Sequence, residues 1–468
     1  MFILNIFLSF FVFENSNDSY FEITDLIYQV DRVLKHHFPG LTSWFEEVKD
    51  PRKFGHYSLS NLLMQGLFLF ISQESSRNSF NNRAQESELY RENFSHLFKG
   101  MKVAHFDTVD LLLREIKTED LERVKEKMIC RLIEKKVLQK YQGCYLVSID
   151  ATGVTSYDEN KELMLLHRKY KNDQHSYLNI MLEAKLVTPE GLCLSLASEA
   201  LSNEDRSEYE KQDCELTAFK RLSKKLKSRY PRLPVCILAD ALYANKRLFS
   251  ICQSNGWKFI ATFKDGQLKS VQTEITDTAE SARIRFEKNK CFNKQQGSFS
   301  RQSYQAMEGL QYLDYKLNWV ECIETLPDSL QKPSPAKPCK FIYLTNISLG
   351  EMAELKEDTI IKIVKAGRCR WKTENEGFNT QKNLGYHLHH KFARNSVKTL
   401  HRYYQLLQIA HMINQLVTHT QTVVRWLNQK SRRTEKALWD TLRSVLCFGH
   451  LDEAQLIANE GHYQIRYE

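Results

Sequence analysis

Three acidic residues stand in settings that share one chemistry. Asp150 closes the apolar run Tyr145-Leu-Val-Ser-Ile-Asp150, and Asp240 closes a second, Val235-Cys-Ile-Leu-Ala-Asp240. Glu374 lies in a basic, helix-like stretch, Arg370-Trp-Lys-Thr-Glu374-Asn-Glu-Gly-Phe-Asn-Thr-Gln-Lys382. Two carboxylates at strand ends and a third on a late helix can hold a pair of divalent metal ions. Such a pair clamps the attacking and leaving oxygens of a phosphodiester displacement. Magnesium suits an all-carboxylate set, because it takes oxygen ligands and keeps several of its waters. The expected chemistry is the cutting and rejoining of nucleic acid. Each piece alone is a weak signal, since strands often end in Asp simply because Asp favours turns.

The surroundings of Glu374 add detail. Arg370, Glu374 and Phe378 recur every four residues and so fall near one face of a helix. Arg370 can steady the Glu374 carboxylate or hold a phosphate; the plainer alternative is a surface i,i+4 ion pair. Trp371 and Phe378 are expected in the core, the other option being a stacking platform for an unpaired base. Glu376 is about 200° around an ideal helix from Glu374, so only one of the two can face the site. The cluster His387-Leu-His389-His390 lacks the partner Cys/His pair that zinc requires, so contact with a DNA backbone or plain surface is expected there.

Charge supports a polyanionic partner. The net charge is +9, and the window 365–433 holds thirteen Lys or Arg against two Glu. The excess positive charge therefore surrounds Glu374, where Lys and Arg can displace phosphate counterions.

The elements that must position these residues can be read from periodicity. Residues 20–140 read as helical, with helices expected over 21–38, 59–71 and 107–141 and a loop with a short helix over 73–91. From residue 142 the texture changes. Strands are expected at 144–149, 177–187, 192–197, 235–238 and 258–263, with helices at 208–230 and 245–255. The turn Thr188-Pro-Glu-Gly191 marks a hairpin. Residues 266–345 alternate polar and apolar positions, and Pro327, Pro333, Pro335 and Pro338 mark loops, so short antiparallel strands are expected. Helix returns over 349–383 and again from 398 to beyond 426. The order predicts an α/β fold, a mixed sheet flanked by helices.

Composition sets the outer bounds. With 468 residues and 42% hydrophobic content, the chain can bury real cores. Its eleven cysteines are dispersed with no CxxC pair, which suits a reducing cytoplasm better than a disulfide scaffold. The apolar start Met1-Phe-Ile-Leu-Asn-Ile-Phe-Leu-Ser-Phe-Phe-Val-Phe13 lacks a basic leader and a cleavage site, and is short for a membrane span.

Taken together, Arg370-Trp-x-x-Glu374-Asn-Glu-Gly-Phe-Asn-x-Gln-Lys-Asn383, Ile-Asp150 and Ala-Asp240-x-x-Tyr243 resemble the DDE transposases of bacterial insertion sequences. More narrowly, they resemble the group whose RNase H-like catalytic domain carries a β-strand insertion before the final Glu. The likeness covers about 145–395, and a looser one reaches Asp50-Pro-Arg52. The resemblance implies a helical DNA-binding region at 1–140 and an RNase H-like domain at 141–265 and 348–395. It also implies a β-rich insertion at 266–347 and a helical C-terminal region at 396–468. It implies Asp150, Asp240 and Glu374 as ligands of two Mg2+ ions, with Mn2+ able to replace them, and Arg370 and Lys382 as phosphate contacts. The partners implied are double-stranded DNA, as element ends and target, and a second copy of the chain; no membrane is implied. The family signature is Tyr-x2-Arg-x3-Glu-x6-Lys. Here the Tyr position is Gly367, and the Lys position is Gln381 with Lys382 one step later. These departures keep open an inactive or repurposed DNA-binding protein, and a structure-specific nuclease is a third reading.

Overall fold

The protein is described by a computed structural model. It describes residues 25–456 apart from 161, 163, 205–211, 279–282, 294–297, 326–337, 351, 395, 429–433, 453 and 455. The apolar start at 1–13 lies outside the described residues.

Among the described residues seven helices come first: α1 (Asp25–His37), α2 (Leu41–Glu46), α3 (Leu59–Ile71), α4 (Arg77–Glu86), α5 (Glu88–Leu97), α6 (Phe106–Glu115) and α7 (Thr118–Glu134). α3 is strongly apolar and every one of its residues is buried; its polar Asn61 and Gln65 side chains donate to the Lys102 and Ala104 carbonyls. Its start is fixed by the Ser58 side chain, which accepts from the Asn61 backbone N–H. The stretch 73–91 forms more helix than expected, because Ser76 and Ser87 cap α4 and α5 in turn. The long helix expected over 107–141 is two helices. Ile116 adopts an extended backbone, and Thr118-Glu119-Asp120 restarts the helix with acidic residues that suit its N-terminus.

The strands are β1 (Tyr145–Tyr157), β2 (Leu166–Lys169), β3 (His175–Val187), β4 (Cys193–Leu201), β5 (Val235–Ala239), β6 (Lys258–Thr262), β7 (Ile284–Asn293), β8 (Ser298–Tyr312), β9 (Tyr315–Thr325) and β10 (Cys339–Thr345). Helices α8 (Glu215–Arg229), α9 (Lys246–Asn255) and α10 (Lys269–Asp277) lie between them. α11 (Ala353–Arg368) follows, then a π-helical turn (Thr373–Asn379), α12 (Thr380–Asn383), α13 (Val397–Thr418), α14 (Gln421–Asn428) and α15 (Glu435–Phe448).

The ten strands among the described residues join one mixed sheet in the order β2-β3-β1-β5-β6-β10-β9-β8-β7, with β4 on β3. β1, β5 and β6 are parallel; β3 and β4 form the expected hairpin beside them. The strand-rich segment extends this sheet, because β10 pairs antiparallel with β6. The fold is therefore α/β, as the pattern of elements predicts.

Side-chain alternation assigns the two faces. Leu146, Cys236, Leu238 and Ile260 pack with Ile360, Ile363 and Val364 of α11. Val147, Ile149, Ile237, Ala239 and Phe259 point the other way, into the second cluster. α13 binds the helical parts together: nearly all of its residues are buried, and it touches α1, α3, α6 and α7. Gly66 of α3 lets the two helices close on each other, for a Cβ there would lie 3.0 Å from the Leu406 methyl. No helix among the described residues is long and apolar enough to cross a membrane. The ten described cysteines are free thiols.

Leu406 is fully buried at the α3 crossing. Leu406→Ala should lower unfolding stability by ~2–5 kcal/mol, as large-to-small core substitutions do, read from urea denaturation.

Candidate active site

Two corrections to the sequence reading define the geometry. Asp150 does not end a strand: it is the sixth of thirteen residues in β1. What ends there is the parallel pairing, because β1 and β5 pair from Tyr145↔Val235 only as far as Ser148↔Leu238. Extending that register by two residues sets Asp150 level with Asp240. Neighbouring strands lie ~4.8 Å apart, so the two carboxylates leave adjacent backbones at the same height. Both continue the row that faces α11. Asp240 directly follows β5 and caps a short 3-10 turn, accepting from the Leu242 N–H at 2.9 Å.

The second correction concerns the helix bearing Glu374. The single helix expected over 349–383 breaks after Arg368, and Glu374 sits in the π-helical turn. Such turns insert one extra residue into a helix and often occur at functional sites. Glu374 is exposed, yet its charge is felt at Asp150. Burial raises the Asp150 pKa most, the Arg370 guanidinium and the Ala151 N–H oppose this, and Asp240 and Glu374 push it up further. Arg370 Nη1 stands 3.6 Å from Asp150 Oδ2. Arg370 therefore steadies Asp150, where the helix spacing had offered Glu374. Glu376 turns away, with Lys372 at 3.3 Å and Cys193 and Glu435 in its field.

The extra residue in the π turn bears on Lys382. On an unbroken α-helix Lys382, eight residues on, would lie roughly 80° around from Glu374. Absorbing one residue returns it to within roughly 20° of Glu374, where the signature lysine would stand. Gln381 is fully buried and exchanges amide hydrogen bonds with Gln408 at 2.9 and 3.1 Å, so it anchors the core. Lys382 is half-buried, its ammonium 5.7 Å from the Phe378 ring. Gly367 has a local cause as well. A Cβ there would come within 2.5 Å of the Tyr343 ring, so a tyrosine from β10 fills the space that a side chain at 367 would need. Phe378 is in the core as expected, but Trp371 is not. It is 55% exposed, and its ring lies 5.0 Å from the Arg370 guanidinium.

One member of the site was missed. Glu215, the first residue of α8, accepts from the Tyr243 hydroxyl at 3.1 Å. Burial raises its pKa, the Tyr243 hydrogen bond opposes this, and Asp150 and Asp240 add to the rise. The signal was present in Asp240-x-x-Tyr243, whose tyrosine is buried with its hydroxyl toward this carboxylate. The histidines near 390 serve elsewhere; His389 Nδ1 meets the Val154 carbonyl at 3.1 Å.

Among the described residues, no three His, Cys, Asp or Glu side chains are drawn to metal-coordination spacing. The donor chemistry nevertheless fits a hard divalent cation. Asp240 and Glu374 raise the proton affinity of Asp150, and Asp150 and Asp240 raise that of Glu215, with Arg370 opposing the rise at Asp150. Added positive charge would relieve that repulsion. No protein-family model matches this chain, and no curated protein matches it.

A pH dependence follows. A carboxyl with a raised folded-state pKa adds stability at acid pH and loses it as pH rises through that pKa. In EDTA, Asp150→Asn should therefore melt higher than wild type at neutral pH, with the gain fading below the ordinary carboxylate range. Scanning fluorimetry should also show Mg2+ raising the wild-type Tm but not that of the variant.

Proposed function

We propose that the chain is a DDE transposase with an RNase H-like catalytic domain, acting on double-stranded DNA in the bacterial cytoplasm. The observation that carries this reading is the register of β1 and β5, which sets Asp150 level with Asp240 while Glu374 reaches the same field. The sheet's antiparallel strands leading into two parallel ones, and the strand-rich segment entering before Glu374, add support. So do the local causes found for Gly367 and Gln381, which weaken the case for an inactive copy.

Asp150, Asp240 and Glu374 would hold two Mg2+ ions. These ions would supply activation of a water or DNA 3′-hydroxyl and stabilisation of the leaving oxygen. The chain's own residues do the rest. Arg370 orients Asp150 and offers its remaining donors to a phosphate. Lys382, on the Glu374 side of the turn, neutralises a second phosphate. Trp371 presents an exposed ring beside Arg370 on which a base unpaired at the cut can stack. Glu215 with Tyr243 stiffens the floor beneath Asp240. Two copies would pair two element ends.

Asp150→Asn, Asp240→Asn and Glu374→Gln should each lower Mg2+-dependent cleavage of element-end DNA by more than about a hundredfold. Loss of several kcal/mol of charge stabilisation implies such a drop. Duplex binding in EDTA should stay near wild type. Full cleavage by any one variant would remove that residue from the site, and cleavage without strand transfer would favour the nuclease reading.

A further inference from the structure

Two cavities lie side by side between the N-terminal helices and the segment that links α12 to α13. One, of about 410 Å3, is bounded by Arg77, Asp107, Lys391 and Arg394. The other, of about 330 Å3, is bounded by Arg77, Asp110, Arg114 and Arg394. Their acids do not cancel their bases. Asp110 is buried and shared between Arg77 at 2.9 Å and Arg114 at 2.7 Å, and it also accepts from the Tyr403 hydroxyl. It therefore fixes two guanidiniums in place. Asp107 is 4.0 Å from Arg77 and largely exposed. Lys391 and Arg394 are exposed and make no ion pair with another described residue. His390, which lines the first cavity, has its pKa lowered by burial and then by the charges of His387, Arg394 and Arg77. The starts of α4, α6 and α13, at Ser76, His105 and Ser396, also border these cavities and add the partial positive charge of helix N-termini.

The position of this groove gives it a use. His389 meets the Val154 carbonyl, and the Lys391 ammonium stands 4.5 Å from the Tyr157 ring. Both contacts lie on the continuation of β1 beyond Asp150. Four to seven strand residues span ~13–23 Å, or about four to seven nucleotides of one DNA strand.

We infer that the groove formed by Arg77, Arg114, Lys391 and Arg394 binds the phosphate backbone of duplex DNA about four to seven nucleotides from the bond cut at Asp150. The inference rests on the DNA reading above and adds where the duplex runs. It also gives the N-terminal helices a share in substrate binding close to the catalytic carboxylates.

The test reads binding without cleavage. Fluorescence anisotropy of a labelled duplex of about 30 base pairs, in EDTA between roughly 50 and 200 mM salt, gives the salt slope of the affinity. Lys391→Gln with Arg394→Gln should weaken binding and lower that slope by about two, one for each phosphate no longer neutralised. Lys220→Ala with Lys224→Ala, on the exposed side of α8, should leave both unchanged. Acetylation of Lys391 in the wild-type protein, read by peptide mass spectrometry with and without the duplex, needs no variant and should show protection. An unchanged slope together with unprotected Lys391, in a protein that binds duplex, would overturn the groove and leave the DNA reading standing. No duplex binding by the wild type would overturn both. Equal protection by polyglutamate would overturn the assignment to nucleic acid.

Discussion

The pairing on which the rest depends is the short parallel ladder of β1 with β5. It spans only Tyr145–Ser148 against Val235–Leu238. Its register decides whether Asp150 and Asp240 face each other or face opposite sides of the sheet, since a one-residue slip reverses every side chain. The register is held by burial on both faces. Leu146, Cys236 and Leu238 pack under α11, while Val147, Ile149 and Ile237 pack on the opposite side. Apolar packing thus holds together charges that repel, and Arg370 opposes that repulsion at Asp150.

A second layer of order lies beneath the Glu374 turn, where α13 is joined to the sheet by polar side chains. Gln415 clamps the Cys193 backbone through both its oxygen and its nitrogen, at 2.7 and 2.8 Å. The Lys185 ammonium reaches Gln408 at 3.2 Å and sits 4.9 Å from the Phe378 ring, and the Tyr404 hydroxyl donates to Glu183 at 2.9 Å. Lys125 of α7 meets Ser195, Ser198 and Gln405; its burial pulls its pKa down to about 8 despite the opposing charges of Glu183 and Glu122. Such groups are tolerated inside only when partnered, so they specify one docking of α13 where apolar packing alone would allow several. Because Gln381 belongs to this seam, the docking of α13 also sets the rotation of the turn that carries Glu374.

Much of this was legible in the sequence. Apolar runs ending in Asp located both central strands, Thr188-Pro-Glu-Gly191 located the hairpin, and the strongly apolar stretch at 59–71 located a buried helix with the right bounds. The three carboxylates singled out by their settings come into one field, and Glu215, which was not singled out, joins them. What escaped depends on tertiary context. Periodicity cannot show that β1 outruns β5, nor that one helical turn takes an extra residue. An exposed tryptophan and a buried one read alike, and Trp371 was placed wrongly for that reason. Glu215 was missed because Asp240-x-x-Tyr243 marks a tyrosine without naming its partner, which lies far from it in sequence and meets it only across the fold. The strand-rich segment was identified as strands, but its joining of the same sheet rests on the β6–β10 pairing, which no local pattern encodes.

The full burial of α3 has a consequence for how the chain is made. Its main partner, α13, begins at Val397, more than three hundred residues after α3 ends at Ile71. At ~5–20 residues per second, the ribosome would leave that apolar helix without its partner for roughly 15–65 s. During this interval it is a sticky surface on an unfinished protein, exposed to chaperones and to other nascent chains. A message broken before the codons for α13 would release a product with its N-terminal core open. Complete synthesis thus becomes a condition for folding as well as for assembly of the carboxylate site.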